Sequence, residues 1–187
     1  MSGTRYAFQR RAISWPNRIG RWLWGITWIL LFRPSPVIFH GWRRVLLRLF
    51  GATVGRCAHA YPSVRIWAPW NLKMADGSCL APHVDCYCVD KVELGVHATV
   101  SQYSFLCTAS RDSRRRSLPL ISAPIVIGKD AWIAADVFVG PGVSIGEGAI
   151  VGARSTVLRD VPPWVLAAGN PAKVVRTRSI EDQDHAS

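Results

Sequence analysis

From Ile127 onward the chain counts in sixes. It reads IGKDAW IAADVF VGPGVS IGEGAI VGARST V, and Ile127, Ile133, Val139, Ile145, Val151 and Val157 fill one column without exception. The next column holds Gly128, Ala134, Gly140, Gly146 and Gly152; the column at i+4 holds Ala131, Val137, Val143, Ala149 and Ser155. Neither helical periodicity nor simple strand alternation produces this spacing. A repeat of six marks a parallel β-helix, in which each hexapeptide builds one flat face and one corner of a triangular prism. Three hexapeptides make a coil. The aliphatic residue is expected to point into the prism, and the small residue beside it to fit the tight corner. Stacked coils then pair as parallel strands roughly 4.8 Å apart.

Upstream the pattern is looser. Val54, Ala60, Ile66 and Leu72 stand six apart, as do Leu94, Val100 and Leu106. Between them, around DGSCLAPHVDCYCVDKVE, the register slips, which predicts a turn insertion. Residues 54–108 thus supply about three coils and 127–162 two more. The stretch 109–126 is too long for a corner and is predicted to stand out from the prism as a loop. Arg111, Arg114, Arg115 and Arg116 all lie on it. DVPPW (160–164) breaks the strand pattern, and Ser179–Ser187 reads as a frayed polar tail. The expected organisation is a helical extension over 1–50, the β-helix with its loop over 51–176, and a polar tail over 177–187.

The extension has an unusual composition. Of 187 residues, 23 are Lys or Arg and 12 are Asp or Glu, a net charge of +11. Residues 1–50 hold nine arginines and five of the nine tryptophans, but no acid; the first carboxylate is Asp76. Such a segment suits an anionic membrane surface, where indole sits at headgroup level and arginine meets phosphate. Nucleic acid would accept the charge too, but no recognised binding motif accompanies it, so none is expected. Trp22–Phe32 is a largely apolar run of eleven residues ended by Arg33 and Pro34. A spanning helix needs about twenty, and as a signal peptide the run starts late and lacks a small-x-small cleavage site. Two readings stay open: a helix packed on the main domain, or an interfacial helix with Arg18 and Arg21 at the headgroups. The five cysteines show no CxxC spacing, and without an export signal reduced cytosolic thiols are expected. One Cys-x-Cys pair, Cys86 and Cys88, cannot fill a tetrahedral zinc site, so no metal is expected.

The coils together with AAGNPAKVVR (Ala167–Arg176) resemble the left-handed β-helix acyltransferases that move acetyl groups from acetyl-CoA to sugar hydroxyls. GWRRVLLRLFGATVG (Gly41–Gly55), IWAPWNLKMADGS (Ile66–Ser78) and VSQYSFLCTAS (Val100–Ser110) are similar to the exopolysaccharide branch, the colanic-acid acetyltransferase type. The resemblance covers nearly all of the chain beyond about residue 15. It implies a homotrimer with the site in the cleft between neighbouring prisms. It also implies a saccharide acceptor, lipid-linked or free. The expected location is the cytoplasm, either in solution or at the inner face of the membrane. Trp132 and Ala135 would line the pantetheine channel, and Ala153 would offer it backbone groups. Arg159, Lys173 and Arg176 would meet the phosphates of CoA, with Asn170 and Pro171 shaping the turn against the adenine. Paired, charge-assisted hydrogen bonds suit arginine to phosphate. The competing readings are surface packing for Trp132 and a solvated edge for Arg159 and Arg176.

The resemblance also implies a general base at the root of the loop, a histidine in Gly-Ser-His-Asp that takes the proton of the sugar hydroxyl, with backbone N–H groups steadying the oxyanion. This chain has Ala109-Ser110-Arg111-Asp112. A guanidinium has no free lone pair and cannot accept a proton near neutrality. His97 is the nearest other candidate in sequence, although a corner role is expected for it. Lost activity would leave a CoA- or glycan-binding scaffold trimer; a substitution in a working parent would be reversible. Arg114–Arg116 fit a solvated loop or a rim that attracts anionic ligands. A metal hydrolase on the same prism would need three converging histidines, and only His59, His83 and His97 lie in the coils, on no shared spacing.

Overall fold

The computed structural model describes residues 8–10 and 14–179. From Thr53 to Val157 the chain winds through five complete coils, and each coil gives one short strand to each of three parallel sheets. The first sheet stacks 53–54, 72–74, 92–94, 125–127 and 144–145; the third stacks 65–66, 85–87, 105–107, 138–139 and 156–157. The second stacks 59–60, 79–80, 99–100, 132–133 and 150–151, then continues into 165–169 and an antiparallel last strand, 172–177. The six-residue column from Ile127 to Val157 is buried along its whole length, as are Leu94, Val100 and Leu106 below it. Residues 180–187, most of the expected polar tail, lie outside the described residues.

Two details differ from the sequence reading. Val54 pairs with Met74, not Leu72, so the steps Ile66–Met74 and Cys86–Leu94 each span eight positions. Leu72 is buried, but in a second inward row with Val92 and Ile125. The register slip is therefore a repeated two-residue enlargement of one corner, between the third and first sheets. Coil three leaves the prism at that same corner. Its excursion is an ordered hairpin, with Ala109–Arg111 antiparallel to Leu120–Ser122 and Gln9–Arg10 added along the outer side. The chain is back in the first sheet at Ile125, two residues before the column resumes at Ile127.

The small residues after the aliphatic column also have a different cause from the one expected. The corner backbone with positive φ falls two residues later, at Asp130 (53°), Asp136 (58°) and Arg154 (58°). Gly128 is small because the next coil lies against it: a Cβ there would sit 2.6 Å from the amide nitrogen of Glu147. Stacking selects glycine here, not turn geometry.

The N-terminal helices close the open edge of the first coil. Helix α1 (Trp15–Thr27) runs on through a wider π-turn (Trp28–Phe32), and helix α2 (His40–Leu49) follows. An edge strand exposes carbonyls that need donors. Arginine and tryptophan side chains are donors only. Arg48 donates to Val54 O (2.6 Å), Arg44 to Ala58 O (3.3 Å) and Arg43 to Ala60 O (2.7 Å). The indoles of Trp28 and Trp24 donate to Val64 O (2.8 Å) and Ile66 O (2.7 Å). Much of the basic, Trp-rich composition is thus an edge cap. Arg21 packs on the prism as well, its guanidinium 4.2 Å over the Trp67 ring.

Arg43 holds this cap together. It is fully buried and also donates to Ser35 Oγ and to the carbonyls of Pro36 and Val37. Arg43→Ala would leave the buried Ala60 carbonyl and three part-buried acceptors without their donor. It is expected to destabilise the protein by about 3 kcal/mol or more, read as a lowered denaturant midpoint. An unchanged midpoint would mean the cap contributes little to folding.

Candidate functional site

The outer face of the second sheet carries a trough. Inward and outward side chains alternate along each strand, so the neighbours of the buried Ile133, Val151 and Ala167 face out. On one side these are Ala134, Gly152 and Ala168, stacked in register. Gly152 is so close that a Cβ there would lie 3.0 Å from Ala168 Cβ. The row is floored by small residues and ends at Lys173, which pairs with Ala168. The parallel row runs Trp132, Ile150, Leu166 and ends at Arg176. Lys173 and Arg176 are three apart and would ordinarily face opposite sides of a strand. A bulge between Leu166 and Ala167 corrects the register and brings both cations to the outer face.

Beside the trough, at the corner between the second and third sheets, lies a groove of about 420 Å³ lined by Gln102, Tyr103, Ala135, Asp136, Ala153 and Arg154. Arg154 and Asp136 pair across it at 3.4 Å. At its end the turn Gly169–Ala172, with its cis Asn170–Pro171 bond, is tied to the corner by Gly169 N–H donating to Ser155 Oγ (3.1 Å). The structure therefore brings Ala135, Ala153, Asn170, Pro171, Lys173 and Arg176 to one continuous surface. Trp132 is near but does not line the groove; its indole donates to Ser101 Oγ (2.9 Å), next to Gln102. Arg159 is elsewhere. It follows Val157 at the third-to-first corner, beside Asp160, which accepts the Ser144 N–H.

The surface has the shape and charge expected of an acetyl-CoA site. A thin linear arm suits a floor of alanine and glycine, and a polyanion suits the two cations at its end. Ala153→Leu is expected to fill the groove and weaken acetyl-CoA about tenfold without lowering thermal stability, because Ala153 is exposed. Unchanged affinity would place the arm elsewhere.

The hairpin stands at a different corner. Arg111 is exposed and its Nη1 donates to Leu118 O (3.1 Å) across the hairpin turn. Asp112 organises the turn, accepting the Arg114 N–H (3.1 Å) and facing Arg115 Nε at 3.7 Å. His97 lies at the corner between the first and second sheets, in left-handed backbone, with Nδ1 3.4 Å from Asp130. Within one prism the structure does not bring His97 to Arg111. Nor do the coil histidines converge: His59 stacks on His40 and His83 on Tyr103. Among the described residues no three His, Cys, Asp or Glu side chains gather as a metal site.

Sequence reading missed the groove residues Tyr103, Asp136 and Arg154, although their common place in the repeat marks a corner. It also missed Asp90. At the hairpin root this buried carboxylate accepts from Ser122 Oγ (3.0 Å) and Lys91 N–H (2.8 Å), while its own N–H donates to Thr108 Oγ1 (2.9 Å). The available signal was an acid within the enlarged corner, between Cys86 and Leu94.

Residues 124–159 match the family described as bacterial transferase hexapeptide (six repeats). The Escherichia coli (strain K12) protein named for colanic acid biosynthesis acetyltransferase, WcaF, is 43% identical over 162 residues, 87% of this chain and 89% of its own. The chain belongs to the hexapeptide-repeat acetyltransferases. Among solved members of this family, the hexapeptide-repeat acetyltransferase of Vibrio cholerae O1 biovar eltor complexed with acetyl-CoA superposes with a TM-score of 0.82. The two are 26% identical, over 89% of this chain and 91% of that one. A galactoside acetyltransferase in complex with coenzyme A superposes at 0.70 with 26% identity, over 90% of this chain and 86% of the other. The hexapeptide-repeat fold, a left-handed parallel β-helix, thus extends over the described coils and not only the regular repeat.

Proposed function

We propose that the protein transfers the acetyl group of acetyl-CoA to a sugar hydroxyl in exopolysaccharide synthesis of the colanic-acid kind. The observation that carries this is the small-residue trough ending at Lys173 and Arg176, beside the Ala135–Ala153 groove. Acetyl-CoA supplies the thioester. Lys173 and Arg176 hold its phosphates, Asn170 and Pro171 shape the turn beside them, and backbone at Ala135 and Ala153 lines the arm. The groove and Arg111 occupy different corners of one prism, so the hairpin that meets the acyl group belongs to a neighbouring prism. A homotrimer meets that requirement. Arg159 sits at the hairpin's own corner and in that assembly faces the neighbour's ligand. The acceptor is a saccharide, lipid-linked or free.

A second reading is favoured by one contact. Arg111 is bonded to Leu118 O and cannot accept a proton, so the chain fits a scaffold that binds CoA or glycan and turns over slowly. Acetyl-CoA titration run alongside a turnover assay on sugar acceptors separates the two. Binding with turnover supports the transferase; binding without it supports the scaffold; no binding overturns both.

A further inference from the structure

Helix α1 is apolar on two opposite faces. One face serves the cap: Trp24 and Phe32 are buried, with Trp28 half-buried between them. The other presents Trp15, Ile19, Trp22, Ile26 and Ile29 to solvent, at steps of four, three, four and three that keep them in line on a helix. Trp15 is 74% exposed and Trp22 67%. The π-turn, the loop and α2 add further exposed apolar side chains at Leu30, Ile38, Trp42 and Leu49. Fourteen of the 21 exposed large apolar side chains among the described residues lie between Trp15 and Leu49. A patch this dense on a soluble surface signals an interaction site. Arg18, exposed, stacks over Trp15 within it at 5.3 Å; Arg33, also exposed, stands at the end of the helix and stacks over Trp28 on the cap side at 5.4 Å.

We propose that this face is an interfacial docking surface for an anionic lipid bilayer, with α1 lying in the headgroup plane. Charge selects the occupant. No acid precedes Asp76 in the chain, so a second copy laid on the patch would bring arginine against arginine. An anionic headgroup layer neutralises the same cations and accepts the indoles. Among the described residues no helix is long and apolar enough to cross a membrane. A helix lying in the interface needs no such length. The docking surface is spatially separate from the acetyl-CoA groove and does not depend on the transfer reaction.

The test is cosedimentation of the full chain with vesicles of three parts phosphatidylcholine to one part phosphatidylglycerol, and with phosphatidylcholine alone. The protein is expected to pellet with the anionic vesicles, with a blue shift of tryptophan emission, and to release at high salt. Arg18→Gln with Arg33→Gln should weaken binding roughly tenfold or more. Trp22→Glu with Ile26→Glu should abolish it while thermal stability and acetyl-CoA affinity stay unchanged. No binding to anionic vesicles would overturn the proposal. So would an apolar-face variant that keeps vesicle binding, or one whose only effect is a smaller oligomer in sedimentation equilibrium, which would make the patch an interface between copies.

Discussion

Arg111→His is expected to raise the rate of acetyl transfer by about 10²–10⁴-fold, the range that a positioned general base supplies. The structure gives the reason. Arg111 lies on a hairpin strand, in register with Leu120, and the strand is ordered by its pairing and by the buried Asp90–Ser122–Thr108 contacts at its root. A histidine placed there inherits a fixed backbone. It does not inherit the Arg111–Leu118 bond, which frees the turn carbonyl to water at little cost. The restored enzyme should show an acidic limb near about pH 6.5, because an unperturbed imidazole accepts a proton only above its own pKa. Acetyl-CoA affinity should hardly change, since its charged contacts are with Lys173 and Arg176 on the last strand and not with the hairpin. If the protein as it stands already turns over briskly, another group is the base, and His97→Ala becomes the decisive variant. If Arg111→His gains nothing while acetyl-CoA still binds, the acceptor side is lost and the scaffold reading stands.

Replacing Lys173 and Arg176 together by alanine is expected to weaken CoA at least a hundredfold. Hydrogen bonds to charged groups contribute about 1.5–3 kcal/mol each, and two such losses give at least about 3 kcal/mol. Both side chains sit on the exposed last strand, paired with Ala168 and Leu166, so the fold should tolerate the change. Dephospho-CoA should lose less than CoA on the same substitution. Because the contacts are charged and solvent-facing, the difference should shrink as salt rises. Equal affinity of the double variant and the parent for CoA would remove these residues from the site.

The regular half of the fold was legible because stacked coils impose one period on inward side chains, and Ile127–Val157 keep it. The first coils were harder to read. Their third corner holds two extra residues, so a strict count of six assigned Leu72 to a column that Met74 fills. The glycines were visible but their cause was not, since close approach of the next coil is a property of stacking and not of local sequence. Resemblance supplied the GNPAK residues. The bulge that turns Lys173 and Arg176 to the same side is a pairing feature and leaves no mark in residue spacing. Arg159 illustrates the opposite limit. Its chemistry suits phosphate, yet a single prism holds it at another corner. The tryptophans of the extension were read by composition alone, which cannot separate Trp24, capping Ile66, from Trp22, facing solvent two residues earlier.

Hydrogen–deuterium exchange of the intact protein with and without acetyl-CoA tests the location of the site most directly. Acetyl-CoA is expected to slow exchange at 134–136, 152–154 and 168–173, the trough, the groove and the turn that closes them, while leaving α1 and α2 unaffected. Protection confined to any other face of the prism, or none at saturating acetyl-CoA, would contradict it.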